Sequence, residues 1–298
     1  MKIAISGASG FIGTRLLQAL AAAGHQLQVF SRRASTHLPP GVRVSVWNPV
    51  EGEPAPESLR GEDAVIHLAG ENVGQRWTAE ARRRILESRV NGTRNLVAAL
   101  AKLPQRPATL ICASATGYYG ARGDEILDEA ALPGNGFLAE VCAAWEREAQ
   151  AAESLGMRVV RVRIGLVLDP RGGALQRMLP PFRMGVGGRL GDGRQWMSWI
   201  HLDDLATLFR FALEQPLEGP VNAVAPQPVT NAEFTRALAE AVRRPALFPV
   251  PGFVLRAMFG EMAEMLLTGQ RVEPRAAGAA GFRFRFPRLD GALADLLR

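Results

Sequence analysis

Residues 2–13 read KIAISGASGFIG, and this stretch decides the fold. Lys2–Ser6 is a short apolar run of buried-strand type, the glycines follow at once, and an amphipathic helical pattern continues from Phe11 to Ala23 before Gly24 stops it. Strand, glycine loop and helix in that order form a cradle for an anion: small residues let the backbone approach a pyrophosphate, and the helix N-terminus offers unpaired amides and a positive dipole end. The spacing of Gly7, Gly10 and Gly13, with Ser9, Phe11 and Ile12 between and beside them, predicts a dinucleotide site rather than a tight turn alone.

Working outward, strand and helix patterns keep alternating. Gln26–Phe30, Val42–Val46, Ala64–Leu68, Thr109–Ala113 and Arg158–Ile164 read as strands, and Thr78 is placed to cap a long helix that ends before Pro104. Leu138–Leu155 reads as another helix, closed by Gly156. Such alternation predicts an α/β protein with a Rossmann-type, doubly wound parallel sheet. After about residue 165 the texture changes. Seven glycines and Pro180-Pro181 between 170 and 195 predict loops around one short helix, a lid or substrate-binding segment. Further helices are predicted over Asp203–Gln215, over Asn231–Val242 with Asn231 as cap, and from Pro251 through Leu267, followed by a Phe282, Phe284, Phe286 alternation. The expected division is a nucleotide-binding core over 1–165, completed by 200–225, and a smaller substrate-side region over 166–298 with a helical segment from about 250.

The chain has 298 residues, 47% hydrophobic and 21% charged, which excludes wholesale disorder. It reaches glycine too early for a signal peptide and holds no apolar run of transmembrane length, so a cytoplasmic protein without membrane partners is expected. Two cysteines, Cys112 and Cys142, and four scattered histidines give neither a disulfide framework nor metal-ligand spacing; no metal is expected. The net charge is +6, and all but two of the 35 basic residues are arginine. They are dispersed and accompany no nucleic-acid recognition signature, so an anionic small ligand accounts for local arginines better than nucleic acid does.

The second strand runs into Ser31-Arg32-Arg33 with no carboxylate. An acidic residue there would accept from a ribose 2′-hydroxyl and repel a 2′-phosphate; a serine and two guanidiniums offer that phosphate hydrogen bonds and charge. NADP(H) is therefore the expected cofactor.

GASGFIG at 7–13, HLAGENV at 67–73 with Arg76-Trp77, ESRVNGTRNLV at 87–97, SATGYYG at 114–120, FLAEVCAAWE at 137–146, SWIHLDDL at 198–205 and the GFRF tail at 281–284 resemble an atypical extended short-chain dehydrogenase/reductase of the NAD-dependent epimerase/dehydratase, sugar-nucleotide-epimerase-like type. The resemblance implies a Rossmann core and a C-terminal substrate-side region. It also implies cofactor contacts from Ser31 and Arg32, from Leu68 and Ala69, and from Arg89 and Val167; Arg33 and Gly70, next in the first two stretches, are expected at the cofactor with them. The wider superfamily uses a Tyr-x-x-x-Lys pair, whose ammonium lowers the tyrosine pKa and binds the nicotinamide ribose. No such pair exists in this sequence: the tyrosines are Tyr118 and Tyr119, followed four residues on by Arg122 and Gly123. Aligned on Glu146, the tyrosine position holds Leu138 and the lysine position Cys142.

Substitutes are Tyr118 and Tyr119 as acids and His201 as base, each with a purely structural alternative. Arg194, Gln195 and Trp199 are candidates to face a substrate. Two functions stay open: an NADP(H)-dependent, epimerase/dehydratase-like oxidoreductase acting on a small polar substrate, or a non-catalytic NADPH-binding redox sensor or partner-docking protein.

Overall fold

The computed structural model describes residues 1–34 and 38–298; His37, one of the four histidines, lies outside them. Seven parallel strands form the central sheet: β1 (Lys2–Ser6), β2 (Gln26–Ser31), β3 (Arg43–Val46), β4 (Ala64–His67), β5 (Thr109–Ala115), β6 (Arg158–Ile164) and β7 (Gly219–Ala223). Their order is β7-β6-β5-β4-β1-β2-β3. The direction of progression reverses beside β1, so the crevice outside the carboxyl ends of β1 and β4 is the switch point where such sheets take ligands. β1 pairs with β2 from Lys2↔Gln26 to Ser6↔Phe30 and with β4 from Ile3↔Ala64 to Ser6↔His67.

Apolar residues on both faces of the strands explain the two layers of helix. Ile3, Ile5, Val29 and Ile66 pack with Leu16, Leu17 and Leu20 of α1 (Phe11–Ala22) and with Leu205, Leu208 and Phe209 of α5 (Leu202–Glu214). On the other face, Ala4, Val65, Leu110 and Val159 meet Leu96 and Leu100 of α2 (Ala79–Ala101) and Trp145 and Ala149 of α3 (Phe137–Gln150). The Thr78 hydroxyl caps α2 by accepting from the Ala81 N–H at 3.1 Å.

A third core gathers Leu175, Leu179 and Phe182 of α4 (Gly173–Arg183), Phe234 and Leu238 of α6 (Asn231–Val242), and Leu289 and Leu293 near the C-terminus. Three expectations are corrected here. α6 is capped by Thr230, not Asn231: the Thr230 side chain and Glu233 form a reciprocal capping box, while the Asn231 side chain accepts from the Leu190 N–H at 2.8 Å. The helix predicted from Pro251 through Leu267 is broken after α7 (Gly252–Phe259), where Gly260 takes φ 61°, and resumes as single turns. The helix predicted to Leu155 ends at Gln150 and finishes as a 3-10 turn over Ala151–Leu155. The Phe282-Phe284-Phe286 alternation makes no strand; Phe282 and Phe284 pack edge to face at 4.8 Å, and the last helix follows at Leu289–Leu296.

No helix among the described residues is long and apolar enough to cross a membrane.

Candidate functional site

The glycine loop sits where β1 ends. Gly7 has φ 74°, and a Cβ there would stand 2.8 Å from the Leu68 carbonyl carbon and the Ala69 nitrogen, so the end of β1 touches the chain leaving β4 backbone to backbone. Leu68 N–H donates to the Ser6 carbonyl at 3.1 Å and Gly10 N–H to the Gly7 carbonyl at 3.0 Å. Gly13, inside the first turn of α1, lies so close to the loop that a Cβ would fall 2.6 Å from Ala8 Cα. α1 begins at Gly10 with no side-chain cap and no acidic residue in its first turn. Its amides and dipole end are left for an anion.

On one side of the loop, Ser31 is half-buried and Arg32 and Arg33 are exposed at the end of β2, with Arg33 N–H donating to Ser31 Oγ at 3.3 Å. A pocket of about 480 Å³ lies here between Ala8, Ser9, Thr14 and Gln18 of the loop and α1 and Leu38-Pro39 of the chain after β2. The sequence reading missed Leu38 and Pro39, which carry no motif. On the other side stand Gly70 and Arg89. A Cβ on Gly70 would lie 3.1 Å from the guanidinium carbon of Arg89, which reaches over from α2. Phe11 is covered by the start of α4: a Cβ on Gly172 would run into its ring, and one on Gly173 would stand 3.0 Å from it with the Val167 carbonyl oxygen 3.5 Å away. Gly7, Gly10, Phe11, Gly13, Leu68, Ala69, Gly70, Arg89 and Val167 thus lie around one crevice.

The crevice fits a phosphorylated dinucleotide on its own geometry. The backbone cradle tolerates no Cβ, a helix start faces it uncapped, and the β2 end holds guanidiniums instead of a carboxylate.

The proton-transfer candidates fare differently. Tyr119 is fully buried; its hydroxyl donates to Asn222 Oδ1 at 2.7 Å and accepts from Arg163 Nη1 at 2.9 Å, and burial pushes its pKa up to about 12. It is a core tyrosine, not an acid facing the crevice. His201 is also corrected: its Nδ1 accepts from the Asp203 N–H at 3.0 Å, capping α5, and its ring stacks on Phe286 at 4.0 Å. Burial pushes its pKa down, against the pull of Asp203, Asp204 and Asp295. Trp199 is fully buried in the third core, donating to the Gln227 carbonyl at 3.0 Å, so it faces no substrate. Gln195 ties Leu190 to Leu266 through their carbonyls at 3.1 and 2.8 Å, while Arg194 is exposed. Tyr118 remains half-buried at the end of β5, its ring 3.6 Å from the guanidinium carbon of Arg163.

Sequence reasoning missed the buried ion pair beneath this tyrosine. Arg163 of β6 meets Glu146 of α3, and Glu146 also accepts from the Ser114 hydroxyl at 2.6 Å. The alternation of charge in Arg158–Ile164, RVVRVRI, was the available signal. Among the described residues no group of three or more His, Cys, Asp or Glu is arranged to hold a metal ion.

The model of the NAD dependent epimerase/dehydratase family matches residues 3–225, and that of a domain of unknown function matches 250–296. An epimerase family protein of Mycobacterium tuberculosis is 47% identical over 294 residues, covering 98% of this chain and 96% of its own length. The crystal structure of human epimerase family protein SDR39U1 (isoform 2) with NADPH superposes with a TM-score of 0.89 at 37% identity, covering 100% of this chain and 99% of that one. The Thermus thermophilus UDP-glucose 4-epimerase complex with NAD shares the fold at 22% identity, with a TM-score of 0.82 over 100% of this chain and 97% of that one. With a family model spanning the seven-stranded core and relatives matched end to end, this chain belongs to the NAD dependent epimerase/dehydratase family.

Proposed function

We propose that this protein is an NADP(H)-binding, epimerase/dehydratase-like oxidoreductase whose substrate is a small polar molecule. The observation that carries the reading is the crevice itself: a glycine cradle pressed against Leu68–Ala69 beside a β2 end that presents Ser31, Arg32 and Arg33 in place of a carboxylate. NADPH in the crystal structure of human SDR39U1, 37% identical over the whole chain, supports the cofactor assignment. The loop amides and α1 hold the pyrophosphate, Ser31 and the arginines hold the 2′-phosphate, and Phe11 under Gly172–Gly173 closes the front. When bound, the cofactor supplies a hydride donor or acceptor; the chain binds it, orients it and excludes water. Tyr118 is the hydroxyl left to exchange a proton with a substrate. Such a protein works in the cytoplasm.

The second reading, a sensor or docking protein that holds NADPH without turnover, is favoured by the loss of Tyr119 and His201 to the core. Fluorescence titration with NADPH and NADH tests the cofactor. Oxidation of bound NADPH by a panel of small aldehydes and ketones, and reduction of bound NADP+ by nucleotide sugars, then separates the two readings. Tight cofactor binding with turnover of any of them supports the oxidoreductase; tight binding with none supports the sensor; equal affinity for NADH defeats the assignment.

A further inference from the structure

Two stretches of the substrate-side region lie side by side at its surface. Residues 183–190, from the last turn of α4 onward, read RMGVGGRL, and residues 243–258, from the end of α6 into α7, read RRPALFPVPGFVLRAM. Val250 N–H donates to the Arg189 carbonyl and Gly191 N–H to the Val250 carbonyl, each at 2.9 Å, and a Cβ on Gly188 would run into the Phe248 carbonyl. Gly187 lies on the buried Phe182 ring, which belongs to the third core. The outer side of the same stretches is apolar. Met184 and Val186 stand in solvent on one of them, Leu247 and Phe248 on the other, and Phe253 in the first turn of α7, with Leu247 74% and Phe253 72% exposed. One exposed leucine needs no explanation, but five large apolar side chains on two paired stretches make a face.

Its charge says what covers it. The two stretches also hold Arg183, Arg189, Arg243, Arg244 and Arg256, all exposed, and not one acidic residue. None of these arginines forms an ion pair among the described residues, whereas Arg83 and Arg84 of α2 both pair with Glu80. Two-fold pairing with a second copy would set arginine against arginine with no carboxylate to answer it. Nucleic acid would answer the charge and leave the leucine and phenylalanines in water. An acidic protein would have to bring a matching apolar patch of its own. An anionic bilayer supplies both halves without a match: headgroups take the guanidiniums, and the acyl boundary takes the apolar tips.

We propose that this face, formed by the end of α4, the chain after α6 and the start of α7, docks the protein on an anionic membrane surface. The expectation of no membrane partner rested on the lack of a spanning run, which a protein lying in the interface does not need. Phe253 and Arg256 stand three residues apart on one side of α7, so the phenyl ring enters the acyl boundary while the guanidinium stays among the headgroups. α4 starts over Phe11 at the crevice and ends at this face, about 16 Å away at the helical rise. The docked face and the cofactor crevice thus lie at opposite ends of one helix.

The test is co-sedimentation of the full chain with vesicles of equal parts phosphatidylglycerol and phosphatidylcholine, and with vesicles of phosphatidylcholine alone. Binding to the anionic vesicles only, weakened by salt, is the expected result. Arg243→Gln with Arg244→Gln should weaken it about twentyfold, at about fivefold for each guanidinium near the surface. Leu247→Ser with Phe253→Ser should weaken it about tenfold or more. All four side chains are exposed, so the melting temperature should hold; if the serine pair lowers it, the glutamine pair decides. Arg60→Gln with Arg147→Gln, exposed arginines on the nucleotide-binding core, should bind as wild type does. No binding to the anionic vesicles would overturn the proposal and leave the face to an acidic protein. Binding that survives the serine pair in a folded variant, or that falls equally in the Arg60 and Arg147 pair, would overturn it as mere attraction to a basic chain. A wild-type dimer that binds no vesicle and is dissociated by the serine pair would overturn it in favour of a second copy.

Discussion

The Arg163 guanidinium straddles the Glu146 carboxylate as a fork on a fork, Nε to Oε1 at 2.8 Å and Nη2 to Oε2 at 2.9 Å, with both side chains almost wholly buried. The pair joins β6 to α3, and through Arg163 Nη1 it also holds the Tyr119 hydroxyl. Removing one partner strands the other charge in the core. Glu146→Gln is therefore expected to cost about 3–5 kcal/mol in urea unfolding, whereas replacing both by methionine costs distinctly less. A Glu146→Gln loss below about 1 kcal/mol would show that water reaches the pair.

Acid stability is expected to depend on His67. This residue ends β4, is fully buried, shares a 2.6 Å hydrogen bond between Nδ1 and Ser6 Oγ, and has its pKa pushed down to about 4 by burial. Because the folded pKa lies below the unfolded value of 6.5, the unfolded chain binds the extra proton first as pH falls. The stability this neutral histidine retains above pH 6.5 is lost progressively between that value and 4. Between pH 7 and pH 4 the wild type should lose about 3 kcal/mol more than His67→Gln. Parallel stability curves for the two proteins would contradict the burial argument.

The glycine cradle yields a contrast within one residue type. Gly13→Ala pushes a methyl into Ala8, and the loop cannot recede because Gly7 already rests on Leu68 and Ala69. Overpacking of this kind costs about 1–3 kcal/mol and displaces the amides that face the anion. Gly13→Ala should lower the melting temperature and abolish measurable NADPH binding. Gly278→Ala, in a short helix where its Cβ would meet nothing within 4 Å, should lower neither.

Cofactor discrimination should reside in the exposed arginines after β2. Arg32→Ala and Arg33→Ala are each expected to narrow the NADPH-over-NADH preference, and together to remove most of a difference of about 10- to 150-fold, the range that charge-assisted hydrogen bonds of about 1.5–3 kcal/mol supply. Titrations showing an unchanged ratio in the double variant would move the discrimination elsewhere in the pocket beside Ser9 and Thr14.

The sheet could be read in the sequence because its signals are local. Apolar runs such as AVIH at 64–67 are punctuated by Gly24, Thr78 and Gly156 within a few residues of where the elements end. The cradle was equally legible, since Gly7, Gly10 and Gly13 act on one another. The fates of Tyr119, His201 and Trp199 were not. Tyr119 is satisfied by Asn222, 103 residues away, and His201 is stacked on Phe286 from the tail. Burial set by partners so distant leaves no mark on the neighbouring residues. Arg89 was legible as a cofactor contact by resemblance only; that it reaches Gly70 from α2 needed the packing of that helix against the chain after β4.

The tail is fastened to α5, which packs on the central sheet, in an unusual grammar. Asp204, buried in the first turn of α5, accepts the main-chain N–H of Arg285 at 2.9 Å on Oδ1 and that of Phe286 at 2.9 Å on Oδ2. A carboxylate that grips two consecutive amides reads where the backbone is and not which side chains it carries. Most substitutions at 285 are therefore tolerated by this clasp, but proline is barred there, since it brings no amide hydrogen. One residue inserted between Phe282 and Arg285 would slide the amides past both oxygens and leave a buried charge ungripped. Length, more than composition, is what this stretch of the chain has to conserve.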